Sequence, residues 1–319
     1  MVNRMKTNSF EAGADYLDCR DNFLVLTHKN PDGDTLGSAC ALCSALRRNG
    51  KTAFLYPNPQ VTDKFKKYVS SYMAEGDFQP DYIISVDIAA ADMFPKGFSG
   101  NVDFSVDHHP TNSFFAEDIN IVVSEYSSCA EAVFALIHEL CGLATPDEAT
   151  LLYIGLSTDT GCFQYSNTNI HSFVSAAALL KLGADNITVN TEFFRKISKG
   201  RMALEGMIYN GMNYYHDGKV TVNKVTLDML SKAGADENDL DDLASLAGKV
   251  EGSILSVTIR ELPNGSSKIS VRSNEAVDSI AICSKFGGGG HKMAAGCTIE
   301  DTPDNAEKQI MSVIDTLLV

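Results

Sequence analysis

Through the first half of the chain, short runs of consecutive apolar residues alternate with longer segments whose apolar positions recur every three to four residues. The runs fall at residues 23–27, 52–56, 82–86 and 102–106. Predominantly apolar runs of this length, alternating with helical patterns, predict the strands of a parallel sheet. The helical pattern is clearest over residues 35–49, which Gly50 closes, and strands alternating with helices predict an α/β layer arrangement. Two later helices have marked starts. Ser128 with Glu131 and Thr145 with Glu148 are spaced as capping boxes, and Pro146 stands at the first position of the second. A third helix over residues 170–182 is expected to stop at Gly183.

The pattern then changes. A polar-flanked helical segment carries Arg195, Lys196, Lys199 and Arg201 close together and reads as a linker. Beyond it, residues 220–225, 253–262 and 268–273 predict strands, the last two joined through Asn264-Gly265, a hairpin signal. Helical patterns over 240–249 and 304–318 complete a smaller α+β domain. The expected organisation is an α/β domain over residues 1–185, a helical linker over 186–212 and an α+β domain over 213–319.

Composition fits this division. A chain of 319 residues exceeds the size at which one core keeps growing, and its 44% hydrophobic and 21% charged residues are those of an ordinary globular protein. The apolar helical segments are too short to span a bilayer, and the first sixteen residues lack the basic and apolar regions of a signal peptide. No membrane association and a cytoplasmic location are expected. The eight cysteines are scattered, and Cys40, Cys43, Cys129 and Cys283 lie in apolar stretches, so they read as buried thiols, the Cys40/Cys43 pair included. A net charge of −15 argues against coating long nucleic acid, which needs Lys and Arg to neutralise phosphates. A short anionic substrate is compatible with it, given local positive charge from metal ions or a few basic side chains.

Candidate chemistry sits where strands end. After the first run comes Thr27-His28-Lys29-Asn30-Pro31-Asp32-Gly33-Asp34, at the strand end where open parallel sheets place ligands. Taken alone, this stretch reads equally as an ordinary turn. The arrangement recurs, however: Asp87 ends the run 82–86, and Asp107-His108-His109 ends the run 102–106. Carboxylates crowded at one sheet edge repel unless cations compensate. Oxygen with some imidazole and no thiolate suits manganese or magnesium better than structural zinc. Asp159, in Ser157-Thr158-Asp159-Thr160-Gly161, closes a helix against the dipole preference, which metal ligation would explain. In the second half, Phe286-Gly287-Gly288-Gly289-Gly290-His291-Lys292 offers backbone N–H groups and positive charge to an anion, with Lys268, Arg272 and Lys285 nearby in sequence. A flexible surface loop is the plainer reading of the same glycines.

Together, His28-x-Asn30-Pro31-Asp32-x-Asp34, Asp87, Asp107-His108-His109 and Asp159 resemble, in order, the four motifs of the DHH phosphoesterase superfamily. Gly288-Gly289-Gly290-His291 resembles the signature of the DHH-associated C-terminal domain. The resemblance spans nearly the whole chain. It implies a doubly wound metal-binding domain, a substrate-binding domain across a cleft and a helical linker that permits closure. It makes His28, Asp32 and Asp87 ligands of one divalent ion, with Asp34, Asp87, His108 and Asp159 holding a second and Asp87 bridging. His109 would touch the phosphate or support the ligands, Asp107 would orient the two histidines, and Arg272 with His291 would grip the substrate's phosphate. Size and domain content resemble the nanoRNase branch, which trims oligoribonucleotides of a few residues and dephosphorylates 3′-phosphoadenosine 5′-phosphate, so the expected partner is a short nucleotide rather than long nucleic acid. Homodimers are frequent in the family. Relatives cleaving cyclic dinucleotides are the alternative. Pyrophosphatase activity is disfavoured by the glycine-rich His291 segment, and a non-catalytic nucleotide sensor by the complete set of metal-competent residues.

Overall fold

A computed structural model of the chain describes residues 5–6, 9–76, 78–240 and 243–318. It divides into two compact units, Met1–Lys196 and Ile197–Val319. The segment expected as a linker is shared between them. A short helix, Asn186–Asn190, and a π-helical turn, Thr191–Arg195, belong to the first unit, and the helix Lys199–Asn210 belongs to the second.

The first unit is built on a sheet whose strands all run parallel. In chain order these are β1 (Met5–Lys6), β2 (Phe23–Leu26), β3 (Ala53–Leu55), β4 (Tyr82–Val86), β5 (Phe104–Asp107) and β6 (Ile119–Val122), arranged β1-β6-β5-β4-β2-β3. Strands β2, β5 and β6 are buried at every position, which accounts for the unbroken apolar run Phe23–Leu26 of β2. The chain leaves β2 toward β3 on one side and then crosses to β4 on the other. The order therefore reverses between β2 and β4, a topological switch point whose carboxyl edge leaves a crevice.

The helices of this unit are α1 (Phe10–Asp18), α2 (Gly33–Arg48), α3 (Asp63–Val69), α4 (Cys129–Cys141), α5 (Pro146–Asp159), α6 (Ile170–Lys181) and α7 (Asn186–Asn190). Helix α2 is buried along almost its whole length, which Ala39, Ala41 and Ala45 and the thiols of Cys40 and Cys43 allow by their small size. The expected start at Thr145 forms as a full capping box with Pro146 behind it. The box expected at Ser128 does not form. Ser128 is the N-cap of α4 without a side-chain bond, and Glu131 instead accepts from the Ser127 backbone and hydroxyl. Helix α1 and strand β6 carried no expectation from sequence. All eight cysteines are free, and the four expected to be buried are buried.

The second unit holds β7 (Asn213–Tyr215), β8 (Val220–Val225), β9 (Leu255–Glu261), β10 (Ser267–Ser273), β11 (Gly289–His291) and β12 (Ala294–Ile299), ordered β11-β12-β10-β9-β8-β7. Strands β9 and β10 pair antiparallel across Asn264-Gly265, as the hairpin signal predicts, with Gly265 at φ 86°. One face of the sheet forms a core of Val220, Val222, Val257, Ile259, Ile269 and Val271 under α10 (Ser279–Cys283) and α11 (Pro303–Leu317). The other face is covered at the β8 end by α8 (Lys199–Asn210) and α9 (Leu227–Ala233) through Leu204, Ile208 and Met229 packed with Val225. The helical pattern expected over 240–249 lies partly outside the described residues. What is described there is a succession of 3₁₀ turns, Glu237–Leu240, Leu243–Ser245 and Ala247–Lys249. The glycine-rich stretch is an edge strand: β11 pairs with β12 through Gly290 and Ala295. No helix among the described residues is long and apolar enough to cross a membrane.

Candidate metal centre

The switch point gathers side chains from four separate parts of the first unit. His28 and Asp32 follow β2, Asp34 lies in the first turn of α2, Asp87 follows β4, His108 follows β5 and Asp159 ends α5. His28 Nε2 is 3.6 Å from both Asp32 Oδ1 and Asp87 Oδ2. On the other side of Asp87, His108 Nε2 lies 3.6 Å from Asp87 Oδ1, 3.8 Å from Asp159 Oδ2 and 3.9 Å from Asp34 Oδ2. These separations exceed those of hydrogen bonds. The ligand atoms form overlapping groups, one of His28, Asp32 and Asp87, one of Asp34, His108 and Asp159, and one of Asp87, His108 and His109. Asp87 joins the first group to the third, and His108 joins the third to the second.

Each side chain is held by its local structure. Asp32 is the N-cap of α2 and accepts from the amides of Asp34 and Thr35, so its carboxylate sits at a favourable helix end. Asp34 accepts from Cys129 N at 2.6 Å, Ala130 N at 2.9 Å and the Ser38 hydroxyl at 3.2 Å, so the N-terminus of α4 fixes its orientation. This approach depends on Gly155 of α5, where a Cβ would lie 2.8 Å from both Asp34 Oδ1 and Ala130 Cβ. Asp87 has φ 60°, a left-handed conformation that a non-glycine residue adopts at some cost and that clusters at functional sites. Its amide donates to Val106 O, and the Thr35 hydroxyl donates to the neighbouring Val86 carbonyl.

The histidines are oriented from behind. His108 Nδ1 donates to the carbonyl of Tyr126 at 3.2 Å, leaving the Nε2 lone pair toward the carboxylates. His109 Nδ1 donates to Asp107 Oδ1 at 2.8 Å, and Asp107 also accepts from the His108 amide and from Asn112 Nδ2. Asp107 is thus fully buried and fully engaged; of the two histidines it was expected to orient, it holds the ring of His109 and only the backbone of His108. Three contributors went unforeseen: Asn112 on Asp107, the Tyr126 carbonyl on His108, and Asn167, whose amide donates to the backbone of Ser127 and of Asp159.

Electrostatically the site is overloaded with negative charge. Burial, reinforced by Asp159, pushes Asp34 up to about 7, and burial with the charge of Asp32 does the same to Asp159. Asp87 is driven well above the usual carboxylate range, first by burial and then by Asp34 and Asp32. Asp32 goes the other way: desolvation raises it, but the His28 imidazole and two backbone amides hold it low. Asp107 is likewise held low against desolvation by His109 and Asn112. His109 is raised by its bond to Asp107. Among the described residues, the ion-pair partners of Asp32, Asp34, Asp87 and Asp159 are all histidines. Asp87 Oδ1 is buried without a hydrogen-bond partner. A buried carboxylate oxygen, unpaired and surrounded by further carboxylates and by imidazole nitrogens, fits divalent cations of the oxygen-preferring kind.

In the second unit, an open cleft of about 720 Å³ is lined by Lys268, Ser270, Arg272, Gly288, Gly289 and His291 among others. Gly288 packs so closely on β12 that a Cβ would stand 2.2 Å from the Gly296 carbonyl. Gly290 does not line the cleft. Its φ of 144° serves the pairing of β11 instead.

Comparisons with known proteins agree with this geometry. Residues 22–156 match the DHH family, N-terminal domain, and residues 217–318 match the DHHA1 domain. A Thermus thermophilus protein named bifunctional oligoribonuclease and PAP phosphatase NrnA is 31% identical over 91% of this chain and 88% of its own length. The cyclic-di-AMP phosphodiesterase PdeA of Listeria monocytogenes is 27% identical over 92% of this chain, which covers 47% of that protein. Among solved structures, an exopolyphosphatase-related protein from Bacteroides fragilis superposes with a TM-score of 0.85 at 23% identity, covering 97% of this chain and 96% of the other, so the fold is shared from end to end. The chain belongs to the DHH family, with a DHHA1 domain forming its second unit.

Proposed function

We propose that this chain is a metal-dependent phosphoesterase that cleaves short oligoribonucleotides and removes the 3′-phosphate of 3′-phosphoadenosine 5′-phosphate (PAP). One observation carries the reading: the buried Asp87 carboxylate, with an unpartnered oxygen, stands between two sets of ligand atoms. The relative at 31% identity, named for both activities, supports the substrate class. His28, Asp32 and Asp87 would hold one divalent ion; Asp34, Asp87, His108 and Asp159 would hold the other. Manganese is our choice for this donor set, and magnesium accepts the same ligands. When bound, such ions lower the pKa of a coordinated water and offset charge on phosphoryl oxygens.

The chain's own residues prepare the rest. The Tyr126 carbonyl fixes the His108 tautomer. Asp107 holds His109 at Nδ1 and favours its protonated form, so its other nitrogen can donate to an anionic substrate oxygen. In the second unit, Arg272 offers a bidentate grip on phosphate, and His291 with Gly288 and Gly289 supplies further donors. We place the enzyme in the cytoplasm, where eight free thiols are at home. We read long nucleic acid as a poor ligand because of the net charge of −15.

The test is a substrate panel with manganese: 5′-phosphorylated dinucleotides, PAP, cyclic di-AMP and pyrophosphate. Turnover of the first two is expected. Preference for cyclic di-AMP would move the chain toward the PdeA-like activity, and turnover of none would leave a nucleotide sensor. Sedimentation of the purified chain tests the expected homodimer.

A further inference from the structure

The sheet of the second unit carries a row of polar side chains that runs on from the glycine-rich cleft to Thr258 and Arg260, which that cleft does not include. Register sets Asn223 of β8 opposite Thr258 of β9, Thr258 opposite Ser270 of β10, and Arg260 opposite Lys268. Residues directly opposite in a sheet project to the same side. Their chain neighbours Val222, Val257, Ile259 and Ile269 fill the core on the other side. Over this row opens a cavity of about 180 Å³, lined by Thr258, Arg260, Lys268 and Ser270 and walled by Leu240 and Leu243 of the 3₁₀ turns.

Two independent observations ask for a ligand there. The Thr258 hydroxyl, on a residue only 5% exposed, lines the cavity without a hydrogen-bond partner. Opposite it in the register, the Asn223 amide is likewise unpaired at both nitrogen and oxygen, but it is fully buried and does not line the cavity. Unpaired buried groups of this kind are costly, and native proteins rarely leave them. The second observation is charge. Arg260 and Lys268 face each other across two strands, and among the described residues neither has a carboxylate within ion-pair distance. In a chain with 41 acidic and 26 basic residues, two adjacent cations without acidic partners mark a place kept for an anion.

We propose that this cavity is a second nucleotide subsite, in which Arg260 and Lys268 hold a phosphate and Thr258 hydrogen-bonds the base or ribose attached to it. The inference rests on the phosphoesterase reading and extends it to the far end of the substrate. The cavity shares Lys268, Ser270 and Arg272 with the cleft of Gly288, Gly289 and His291, so one short chain can occupy both. Its volume is well below the roughly 300–1,000 Å³ of pockets for drug-sized ligands. It therefore admits one phosphate with the edge of the ribose or base attached to it, and not a longer stretch of chain, which favours short substrates.

Equilibrium binding to the full chain, freed of metal with EDTA so that nothing is cleaved, tests this. A 5′-phosphorylated diadenosine nucleotide should bind more tightly than AMP. Arg260→Gln should weaken the dinucleotide roughly tenfold, the scale of one lost charge-assisted hydrogen bond, while AMP changes less than about twofold. Thr258→Val, of nearly the same shape, should weaken it by about threefold, whereas His291→Ala should weaken both ligands. Equal binding of the two ligands by the wild type, an unchanged dinucleotide affinity in Arg260→Gln, or an equal loss for AMP would overturn the subsite. So would unaltered binding by a more stable Thr258→Val, which would make the hydroxyl merely a buried group. If the wild type cleaves no ester yet shows this binding pattern, the subsite stands and the hydrolase reading falls. If it cleaves dinucleotides as well after Arg260→Gln as before, with the same KM, the reverse holds.

Discussion

In the first unit, Asp34, Asp87 and Asp107 are almost completely buried around one point, and backbone amides, a helix end and two asparagines hold their neighbourhood in place. In the second unit, Lys268 and Arg272 stand exposed on a sheet face, and among the described residues Arg272 donates only to its own strand at Val271 O. The first region fixes geometry before any ligand arrives and tolerates repulsion to do so; the second leaves its cations free to adapt. Chemistry at phosphorus needs atoms placed to within fractions of an ångström, whereas gripping a flexible nucleotide needs charge and room. A protein of net charge −15 can keep both because Arg260, Lys268 and Arg272 stand together on one face of the second unit's sheet.

The sharpest way to break this contrast is Asp87→Asn. Asparagine tolerates the φ of 60° at this position, so the fold should survive while both ligand groups lose a charged oxygen. Hydrolysis should fall by about a hundredfold to a thousandfold, the scale of removing one key electrostatic group at a reacting centre. The metal-free variant should melt at a higher temperature than the wild type, because a repelling buried charge is gone. Wild-type turnover in Asp87→Asn would remove its joining role. Next in size is Gly155→Ala, whose Cβ would press on Asp34 and Ala130. Overpacking should cost about 1–3 kcal/mol in a denaturant titration and weaken manganese binding in parallel; a stabilised variant with normal metal affinity would show that α5 can yield.

The adaptable region should respond differently. Arg272→Gln should raise KM about tenfold with kcat within about twofold, as loss of uniform binding does; a fall in kcat alone would move Arg272 into the rigid class. The smallest effect is that of pH on metal-free protein. Asp34 and Asp159 sit at about 7 when folded against an ordinary 3.8, so between these values the native state binds more protons than the unfolded one. Stability contributed by these two groups therefore falls as pH rises through this window, and metal affinity climbs over the same range because protons must leave. The manganese-induced rise in Tm should be several degrees larger at pH 8 than at pH 5.5. An equal rise at both would argue that the carboxylates are already ionised.

How much of this was legible in the sequence follows from the range of the interactions involved. Strands β2, β4 and β5 announce themselves as apolar runs, and their ends carry His28, Asp87 and His108 into one place because the sheet is parallel. Helix α1 was hidden by Gly13 at its centre. That glycine is explained by close packing, since a Cβ there would stand 2.6 Å from Ile121. Strands β11 and β12 were hidden because Gly289, Gly290, Ala294, Ala295 and Gly296 have little strand preference, and pairing with β10 imposes the conformation. Glu131 has the spacing of a capping box, yet Ser127 and Ser175 compete for its carboxylate, and they lie where only the folded chain brings them. Tyr126 contributes a backbone carbonyl, which leaves no mark on side-chain identity.

The attachment of Asp34 to the amides of Cys129 and Ala130 has one more consequence. Two backbone amides moor its carboxylate without help from any ion, so this corner of the site is shaped by the polypeptide itself. A divalent ion arriving there would find one oxygen ligand already placed, and loading would displace a proton rather than reorder the backbone.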